Sequence, residues 1–369
     1  MKTLKDLGNV VGKVAVVRVD FNVPVENGVV TDDFRIKAAL PTIQQLQKLG
    51  AKICLIAHCE ANKEGGECSL KPAAEVLQKF IKSVFAKNLE EAKALIETND
   101  VVLLENLRTD PGEKANDENF SKKLASLGDF YINDAFSVCH REHASIVGIP
   151  KFLPSYAGIQ LEKEITELSK AFNPAHPFVF ILGGAKFETK LPLIKKFIEK
   201  ADIVCVGGAL VNDVLKAQGK NVGLSRVSKE VIDLSGVISS SKLLIVSDVV
   251  VTNPSGTSTK KIDDILDNDA VMDVGQETIK LWEEKIRDAA FVLWNGPMGN
   301  FEMGYDKGTL SLAQAIASSQ AESIVGGGDT LAAIKKLNLE SDFSFISTGG
   351  GATLDFLADE TLVGIEALK

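Results

Sequence analysis

Four glycine clusters in the second half of the chain end short apolar runs, and several have a charged or hydroxyl-bearing neighbour. The clusters are Gly183-Gly184, Gly207-Gly208, Gly326-Gly327-Gly328 and Gly349-Gly350-Gly351. Glycine lets the backbone approach a phosphate closely, and a following helix start directs N–H groups at it. Lys186 stands two residues after the first cluster, and Asp329 and Thr330 follow the third. The pattern predicts a nucleotide-phosphate site in which Asp329 holds a Mg²⁺ that bridges phosphates.

Tight turns also use glycine, so structural turns are the alternative to a phosphate site. Four clusters at the ends of apolar runs in one half of the chain favour the phosphate site. Neither GxxxxGK[ST] nor GxGxxG occurs, so a P-loop and a dinucleotide fingerprint are not supported. Lys186 and Lys190 are four residues apart and would share one face of a helix directly behind Gly183-Gly184.

Arginine is scarce and concentrated in the first half of the chain. Against 35 lysines there are six arginines, and the first four are Arg18, Arg35, Arg108 and Arg141. The guanidinium fork matches carboxylate or phosphate in a bidentate manner. Three of the four histidines lie near these arginines or at a strand end: His58, His140 and His143. The set predicts a basic pocket for a small, multiply charged anion, with Asp20 and Asn22 binding its hydroxyl groups. Scattered surface arginines and internally partnered histidines are the alternative.

Short apolar runs alternate with amphipathic stretches throughout the chain, which is typical of parallel sheets covered by helices. Runs such as VAVVRVDF, KICLIAHC, LLIVSDVVV and FVLWNG predict buried parallel strands. Helical patterns are predicted over 34–49, 71–85, 119–127, 191–200 and 278–287. With ten or more predicted strands, two sheets are expected. The predicted fold class is α/β, with two doubly wound parallel-sheet (Rossmann-like) domains joined by a connecting helix.

Domain boundaries are expected around a helical pattern that follows Pro154 and ends at the proline-flanked stretch NPAHP. The prediction is a first domain over 1–156, a connecting helix over 157–172 and a nucleotide-binding domain over 173–351. One more surface helix of a single large sheet is the alternative for the connector.

Composition limits the class of protein. The chain has 369 residues, a net charge of −9 and 45% hydrophobic residues, which suits a globular protein and argues against nucleic acid as the main partner. No 18-residue apolar stretch and no signal-peptide core are present, so a cytoplasmic protein without a membrane span is expected. The five cysteines are expected to be reduced, and a metal site from His58, Cys59, Cys139 and His140 has no supporting spacing.

An anion site in one domain and a nucleotide site in the other suit phosphoryl transfer, because its catalysis is largely positioning and charge neutralisation. Closure of the domains would bring the two sites together. No nucleophile–base pair of the Ser–His type is needed for this chemistry, and none is evident in the sequence.

The motifs, in their order, resemble the phosphoglycerate kinase family over essentially the whole chain. In the first half they are VRVDFNVP, TDDFRIKAALPTI, LLENLR, NDAF and HREHAS. In the second half they are ILGGAK, VLWNGPMG, FE, VGGGDT and STGGGA. The resemblance implies reversible transfer between 1,3-bisphosphoglycerate and MgADP, a monomer, and a final segment, about 352–369, that packs back on the first domain.

The resemblance also implies roles for the matching residues. The acid would be bound by Asp20, Phe21, Asn22, Arg35, His58, Arg108 and Arg141, with Arg18, His140 and His143 completing the basic patch. The nucleotide would be bound by Lys186, Lys190, Gly207, Gly208, Gly275, Asn295, Glu302, Gly327, Gly328, Asp329 and Thr330. Arg35, Lys186 and Gly350 would act on the phosphoryl group in flight, and Asp329 would hold the metal.

One segment departs from the family pattern. Where the family has His-Leu-Gly-Arg-Pro, this chain reads His58-Cys59-Glu60-Ala61-Asn62, so the clamp arginine is replaced by Ala61 and a negative charge is added by Glu60. Three interpretations follow: an active phosphoglycerate kinase with a rearranged acid site, a nucleotide-binding paralogue that has lost transferase activity, or a kinase for a different small acid that Glu60 recognises.

Overall fold

The protein forms two compact units, as seen in a computed structural model that describes residues 1–60, 68–185, 187, 190–229 and 233–369. Unit 1 comprises Met1–Thr166 and Asp359–Lys369, and unit 2 comprises Glu167–Ala358. The predicted roles of Lys186 and Ala61 fall outside the described residues. No helix among the described residues is long and apolar enough to cross a membrane.

The strands of unit 1 are β1 Val14–Arg18, β2 Val25–Glu26, β3 Val29–Val30, β4 Lys52–Ile56, β5 Val84–Ala86, β6 Val101–Leu104, β7 Phe130–Asn133 and β8 Ser155–Ala157. Six of them form a parallel sheet with the order β5-β6-β4-β1-β7-β8, and β2 and β3 form a separate antiparallel pair. Its helices are α1 Phe34–Lys48, α2 Lys71–Leu77, α3 Leu89–Thr98, α4 Pro111–Lys114, α5 Glu118–Ala125 and α6 Ile159–Ser169. The unit division falls within α6, which continues as a 3-10 turn over Lys170–Phe172.

Unit 2 contains a second six-stranded parallel sheet, with the order β11-β10-β9-β15-β16-β17. Its strands are β9 Phe178–Leu182, β10 Ile203–Val206, β11 Leu243–Leu244, β12 Asp248–Asn253, β13 Gly256–Lys261, β14 Ala270–Val274, β15 Phe291–Asn295, β16 Glu322–Gly326 and β17 Phe345–Ile346. Its helices are α7 Leu191–Lys200, α8 Leu210–Ala217, α9 Ser235–Ile238, α10 Gln276–Arg287, α11 Lys307–Ala317, α12 Gly328–Lys336 and α13 Gly351–Asp359. A last helix, α14 Val363–Glu366, belongs to unit 1.

The predicted α/β class with two parallel sheets is confirmed. Strands β1, β4, β6 and β7 are almost fully buried, because helices cover both faces of the sheet. A strand buried on both faces needs a continuous apolar run, without alternating polar residues. The central strands are therefore the ones that the sequence predicts most clearly.

Two predicted elements differ from the structure over part of their length. The helix predicted over 71–85 ends at Leu77, and Val84–Ala86 forms β5, which pairs with β6 at the sheet edge. The run LLIVSDVVV divides: Leu243–Leu244 joins the parallel sheet, whereas Asp248–Asn253 forms an antiparallel sheet with β13 and β14. Ser247 and Asp248 interrupt that run by bonding the Thr278 hydroxyl at the start of α10.

A buried carboxyl fixes the first turn of α6. Asp134 Oδ1 accepts hydrogen bonds from the N–H groups of Gln160 (2.8 Å) and Leu161 (3.3 Å), and the Ile159 N–H donates to the Thr42 hydroxyl (2.9 Å). Burial raises the pKa of Asp134 to about 7. The start of α6 is therefore held by a group that titrates near neutral pH.

Replacing Asp134 by Asn should remove a pH dependence from the stability of unit 1. Because the folded-state pKa (about 7) lies above the ordinary value (3.8), the folded state binds more protons between these values. The free energy of unfolding therefore decreases as pH rises through that window. Asn keeps the acceptor oxygen but does not titrate. The free energy of unfolding of the wild type should therefore fall by roughly 2–4 kcal/mol across this pH window, and that of D134N should not.

Urea unfolding from pH 4 to 7.5, followed by circular dichroism, measures this difference. Trp282 and Trp294 both lie in unit 2, so their fluorescence provides an internal reference. D100N, at an exposed position of unit 1, is the matched control. Equal pH slopes for the wild type and D134N would contradict the expectation.

Candidate functional site

The first-half arginines gather at the carboxyl edge of the unit 1 sheet. Arg18 ends β1 and pairs in register with Ile56 of β4 and Asn133 of β7. His58, Arg108 and Arg141 lie in the loops that follow β4, β6 and β7. Burial first, and then all four arginines, including Arg35, lower the pKa of His58 far below its ordinary value. The predicted basic cluster is therefore assembled around one neutral histidine.

Arg18 lies beneath this cluster and is fully buried. Its Nε donates to the Ser145 hydroxyl (2.9 Å), its Nη1 to the Val19 carbonyl (2.6 Å), and its Nη2 to His58 Nδ1 (3.0 Å). Ser145 in turn donates to the buried Glu113 carboxylate. All three guanidinium nitrogens are engaged within the chain, so Arg18 supports His58 and the cluster from beneath, and the predicted anion contacts of Arg18 and His58 stay predictions.

Arg35, at the start of α1, is held by Asp20. The Arg35 Nη1 lies 2.8 Å from Asp20 Oδ2 and donates to the Asn22 carbonyl (3.2 Å). The Asn22 N–H donates to Asp20 Oδ1 (3.1 Å), and the Ser137 hydroxyl also donates to Asp20. The Arg35 side chain remains one-third exposed, at 33%. A partly exposed guanidinium with a fixed stem suits contact with an anion.

Phe21 differs from its neighbours in this loop, since its side chain is buried in the core of unit 1. Any contact of Phe21 with a ligand would therefore come from its backbone.

Arg108 and Arg141 share one carboxylate. Glu60 Oε1 accepts a hydrogen bond from Arg108 Nη1 and lies 3.4 Å from Arg141 Nη1. The hydrogen bond from Arg108 is the main cause of a lowered Glu60 pKa. Arg108 Nε and Nη2 are buried and find no hydrogen-bond partner within the described part of the chain. Sequence reasoning treated Glu60 as an added charge or as a residue that recognises another acid, and it missed the pairing of Glu60 with both arginines, which joins distant parts of the chain.

The two other predicted histidines lie beside the same arginines. The Arg141 Nε donates to His140 Nε2 (3.3 Å). His143 Nδ1 lies 3.9 Å from Glu113, and burial, followed by the charges of Arg108 and Arg141, lowers the pKa of His143 to about 4. Both rings therefore border the cluster, and His143 is neutral at neutral pH.

A disulfide joins Cys59 to Cys68, with Cα atoms 5.9 Å apart. Cys54, Cys139 and Cys205 are buried thiols. The expectation that every cysteine is reduced is wrong for this pair in this structure. The Asn106 side chain reinforces the link, because its Nδ2 donates to the carbonyls of Cys59 (3.1 Å) and Cys68 (2.9 Å).

Unit 2 contains a cavity of about 550 Å³ whose lining includes three of the predicted nucleotide residues. Gly208, Glu302 and Asp329 line it, together with Gly184 from the first glycine cluster. Sequence reasoning missed Met272, Asn300 and Phe301, which line the cavity from β14 and from the turn after WNGPMG, and Arg226. A mixed apolar and polar cavity of this size suits a nucleoside.

Lys190 extends its ammonium group into the glycine loops. The side chain is buried and donates to the Gly183 carbonyl. A Cβ added at Gly184 would lie 2.7 Å from Lys190 Nζ, so the missing side chain leaves room for the ammonium group. Gly184 and Gly296 have φ values of +101° and +93°, which favour glycine at both positions. Burial lowers the pKa of Lys190 to about 8, although the nearby Asp329 charge opposes this shift.

The third glycine cluster ends β16 and begins α12. Gly327 has a φ of +105°, and Asp329 lies in the first turn of the helix. The buried Asn295 faces this cluster, and its Nδ2 has no hydrogen-bond partner among the described residues. Thr330 is buried, and its hydroxyl accepts a hydrogen bond from the Gly296 N–H (3.0 Å). Thr330 thus supports the loop, whereas Asn295 and Asp329 are available to a ligand.

Other predicted glycines have different surroundings. Gly207 packs against Met298, and Gly350, with a φ of +56°, precedes α13. Gly275 is not among the described residues that line the cavity; it begins α10 and packs against the Asp248 carboxyl. The predicted adenine contact of Gly275 therefore gains no support from the shape of the cavity.

A phosphoglycerate kinase family model matches residues 4–360 of this chain. The chain belongs to the phosphoglycerate kinase family. It is 42% identical to phosphoglycerate kinase of Herpetosiphon aurantiacus over 97% of this chain and 96% of the relative. It is 41% identical to phosphoglycerate kinase of Finegoldia magna over 100% of this chain and 98% of the relative. Membership makes the protein a kinase of glycolysis, with a carboxyl group as the phosphoryl acceptor.

Solved structures support the same assignment. Phosphoglycerate kinase from Coxiella burnetii matches with a TM-score of 0.86 and 36% identity, covering 99% of this chain and 98% of that one. The enzyme from Pyrococcus horikoshii also matches with a TM-score of 0.86, at 30% identity, covering 100% and 98%. The predicted family is thus confirmed by sequence and by fold.

Replacing Lys190 by Met should weaken MgADP binding and remove its pH dependence near pH 8. The lysine pKa of about 8 in the free protein means that its positive charge is present below pH 8 and lost above it. Wild-type affinity should therefore decrease as pH rises from 7 to 9. Removing one charge-assisted contact to phosphate should weaken binding at pH 7 roughly 10- to 100-fold.

Calorimetric titration with MgADP at several pH values measures both effects. K195M, at an exposed position of α7, the helix that begins directly after Lys190, removes the same charge away from the cavity and should behave as wild type. A K190M profile parallel to that of the wild type would show that Lys190 does not contact the nucleotide.

Proposed function

We propose that the protein catalyses reversible phosphoryl transfer between 1,3-bisphosphoglycerate and MgADP, giving 3-phosphoglycerate and MgATP. The observation that carries the proposal is the arginine cluster at the carboxyl edge of the unit 1 sheet, since three of its guanidinium groups adjoin one place suited to an anion. The glycine-lined cavity of unit 2 supplies a separate site of nucleotide size.

In unit 1, Arg35, Arg108 and Arg141 bind the phosphate and carboxylate of the acid. Asp20 and Asn22 orient its hydroxyl group, and Arg18 and His58 hold the pocket from behind. The His140 and His143 rings border the site, and the neutral His143 adds no charge to it at neutral pH. Arg35 also stabilises the phosphoryl group during transfer.

In unit 2, the adenosine lies in the cavity near Gly207, Gly208 and Glu302, with Gly275 as a more distant member of the predicted set. Lys190 and Asn295 bind nucleotide phosphates, helped by the N–H groups of Gly327 and Gly328 where α12 begins. Thr330 supports the site indirectly, because its hydroxyl accepts a hydrogen bond from Gly296 and holds that loop in place. Lys186, outside the described residues, neutralises the transferring oxygens.

Magnesium suits the donor set at this site. Asp329 lines the cavity in the first turn of α12, and no cluster of three or more His, Cys, Asp or Glu ligands occurs in the described part of the chain. A single carboxylate is appropriate for Mg²⁺, which is usually shared between one or two carboxylates, water and substrate phosphates. When bound, the metal neutralises charge on the nucleotide phosphates, and Asp329 would hold it.

The transfer needs no protein base. In the direction of acyl phosphate formation, a carboxylate oxygen of 3-phosphoglycerate attacks the γ-phosphorus of ATP, and the bond to the bridging oxygen breaks to release ADP. Since the carboxylate is ionised at neutral pH, no proton is removed. Arg35, Lys186 and the backbone N–H of Gly350 stabilise the charge on the moving group.

Catalysis by this chemistry requires the acid and the nucleotide to lie in line, so we propose that the two units close around their substrates. We further propose that the enzyme acts as a cytoplasmic monomer without a nucleic-acid or membrane partner. A non-catalytic paralogue or a kinase for another acid gains no support from the family comparisons.

Purified protein with MgATP and 3-phosphoglycerate should show saturable turnover when the acyl phosphate is removed by a coupled reduction. Lys186→Ala is the matched inactive variant: it should lower kcat at least ~100-fold and change MgADP affinity little, because its charge acts on the transition state. No turnover by the wild type, with MgADP still bound, would overturn the proposed function. Normal turnover by K186A would overturn the role of Lys186.

A further inference from the structure

The acid site of unit 1 contains a carboxylate of the chain itself. Glu60 contacts both Arg108 and Arg141, which are two of the three arginines proposed to bind the acid. An acidic side chain on these two guanidinium groups occupies the same donors that an anionic ligand would use.

The backbone around Glu60 is held on both sides. The Glu60 N–H donates to Asn22 Oδ1 (3.0 Å), and the preceding Cys59 N–H donates to Asn106 Oδ1 (3.2 Å). Cys59 is also fixed by its disulfide to Cys68. The same Asn106 Oδ1 accepts from the Arg108 N–H (3.1 Å), so Glu60 and Arg108 are positioned from a common point. The contact is thus built into the local backbone.

The charges explain why the contact forms. The Arg108 side chain is only 7% exposed, and a guanidinium removed from water to this degree needs a counter-anion. The Glu60 side chain is 53% exposed, so its carboxylate can leave the arginines for solvent when another anion arrives. Arg108 is the buried, fixed partner of the pair, and Glu60 is the exchangeable one.

We propose that Glu60 is an internal anionic ligand of the acid site, which an anionic group of the substrate must displace before it can bind Arg108 and Arg141. This inference rests on the proposed function and adds a residue that sets the affinity for the acid. Displacement costs binding free energy in proportion to the strength of the internal contact. Glu60 therefore raises the KM for 3-phosphoglycerate while leaving the nucleotide site unaffected.

The variant Glu60→Gln tests the proposal because glutamine keeps the size of the side chain and removes its charge. The KM and the directly measured Kd for 3-phosphoglycerate should decrease roughly 3- to 30-fold, allowing for the partial exposure of the pair. The kcat and the Kd for MgADP should stay within about twofold of wild type. Assays without reductant keep the Cys59–Cys68 bond of the structure.

The matched control is Glu142→Gln. Glu142 is exposed and adjacent to Arg141 in the chain, so E142Q removes the same charge close to the site without removing the carboxylate on Arg108. It should change the KM for the acid by less than twofold. Equal decreases in E60Q and E142Q would indicate a general field effect and overturn the proposal, as would an unchanged or raised KM in E60Q.

Inorganic phosphate, titrated calorimetrically into the same three proteins, separates this inference from the proposed function. If the wild type has no turnover with 3-phosphoglycerate, the proposed function fails, and phosphate still reports on the arginine pair. Tighter phosphate binding by E60Q than by wild type and E142Q supports displacement of Glu60. Equal binding by all three, including none, overturns it.

Discussion

The architecture of unit 1 depends on balancing a concentrated positive charge. Four arginines surround the buried His58, and like charges this close repel one another unless counter-charges and hydrogen bonds offset the repulsion. The chain supplies Glu113 behind Arg18 through Ser145, Asp20 beside Arg35, and Glu60 on Arg108 and Arg141. The three carboxylates differ from one another in exposure: Glu113 is fully buried, Asp20 is mostly buried and Glu60 is half exposed. The buried partner gives a permanent support, and the exposed one gives a contact that a substrate can replace.

Unit 2 meets a similar demand by different means. The anion site that we propose there uses backbone groups at strand ends and at the start of α12, with the buried Lys190 near Asp329. Glycine at positions 184 and 296 leaves room for the Lys190 ammonium, and the Thr330 hydroxyl fixes the Gly296 loop. Backbone dipoles are fixed by the fold and need no counter-charge when no ligand is bound. This difference agrees with the distribution of arginine: four of the six lie in unit 1, and two, Arg226 and Arg287, lie in unit 2.

The sequence allowed the fold class, the family and the gathering of the first-half arginines to be predicted, because these follow from local motifs and from strand ends that share one sheet edge. Buried strands are continuous apolar runs, and helix α7 was predicted over the residues that form it, Leu191–Lys200. What failed depends on distant contacts. Residues predicted to end a helix form β5 instead, because they pair with β6. The guanidinium of Arg18 forms hydrogen bonds with Ser145 and His58. The contacts of Glu60 span 48 and 81 residues along the chain, and nothing local to Glu60 indicates them.

Nuclear magnetic resonance of the six arginine side chains, after selective ¹⁵N labelling, tests the two-site account most directly. 3-Phosphoglycerate should shift the Nε–H signals of Arg35, Arg108 and Arg141 and leave Arg226 and Arg287 unchanged. MgADP should shift Arg226, which lines the unit 2 cavity, and leave the first three unchanged. Single Arg→Lys variants assign the signals. The account would be contradicted if 3-phosphoglycerate left the signals of Arg35, Arg108 and Arg141 unchanged, or if it shifted the signal of Arg226 instead. The arginine cluster of unit 1 would then not be the acid site.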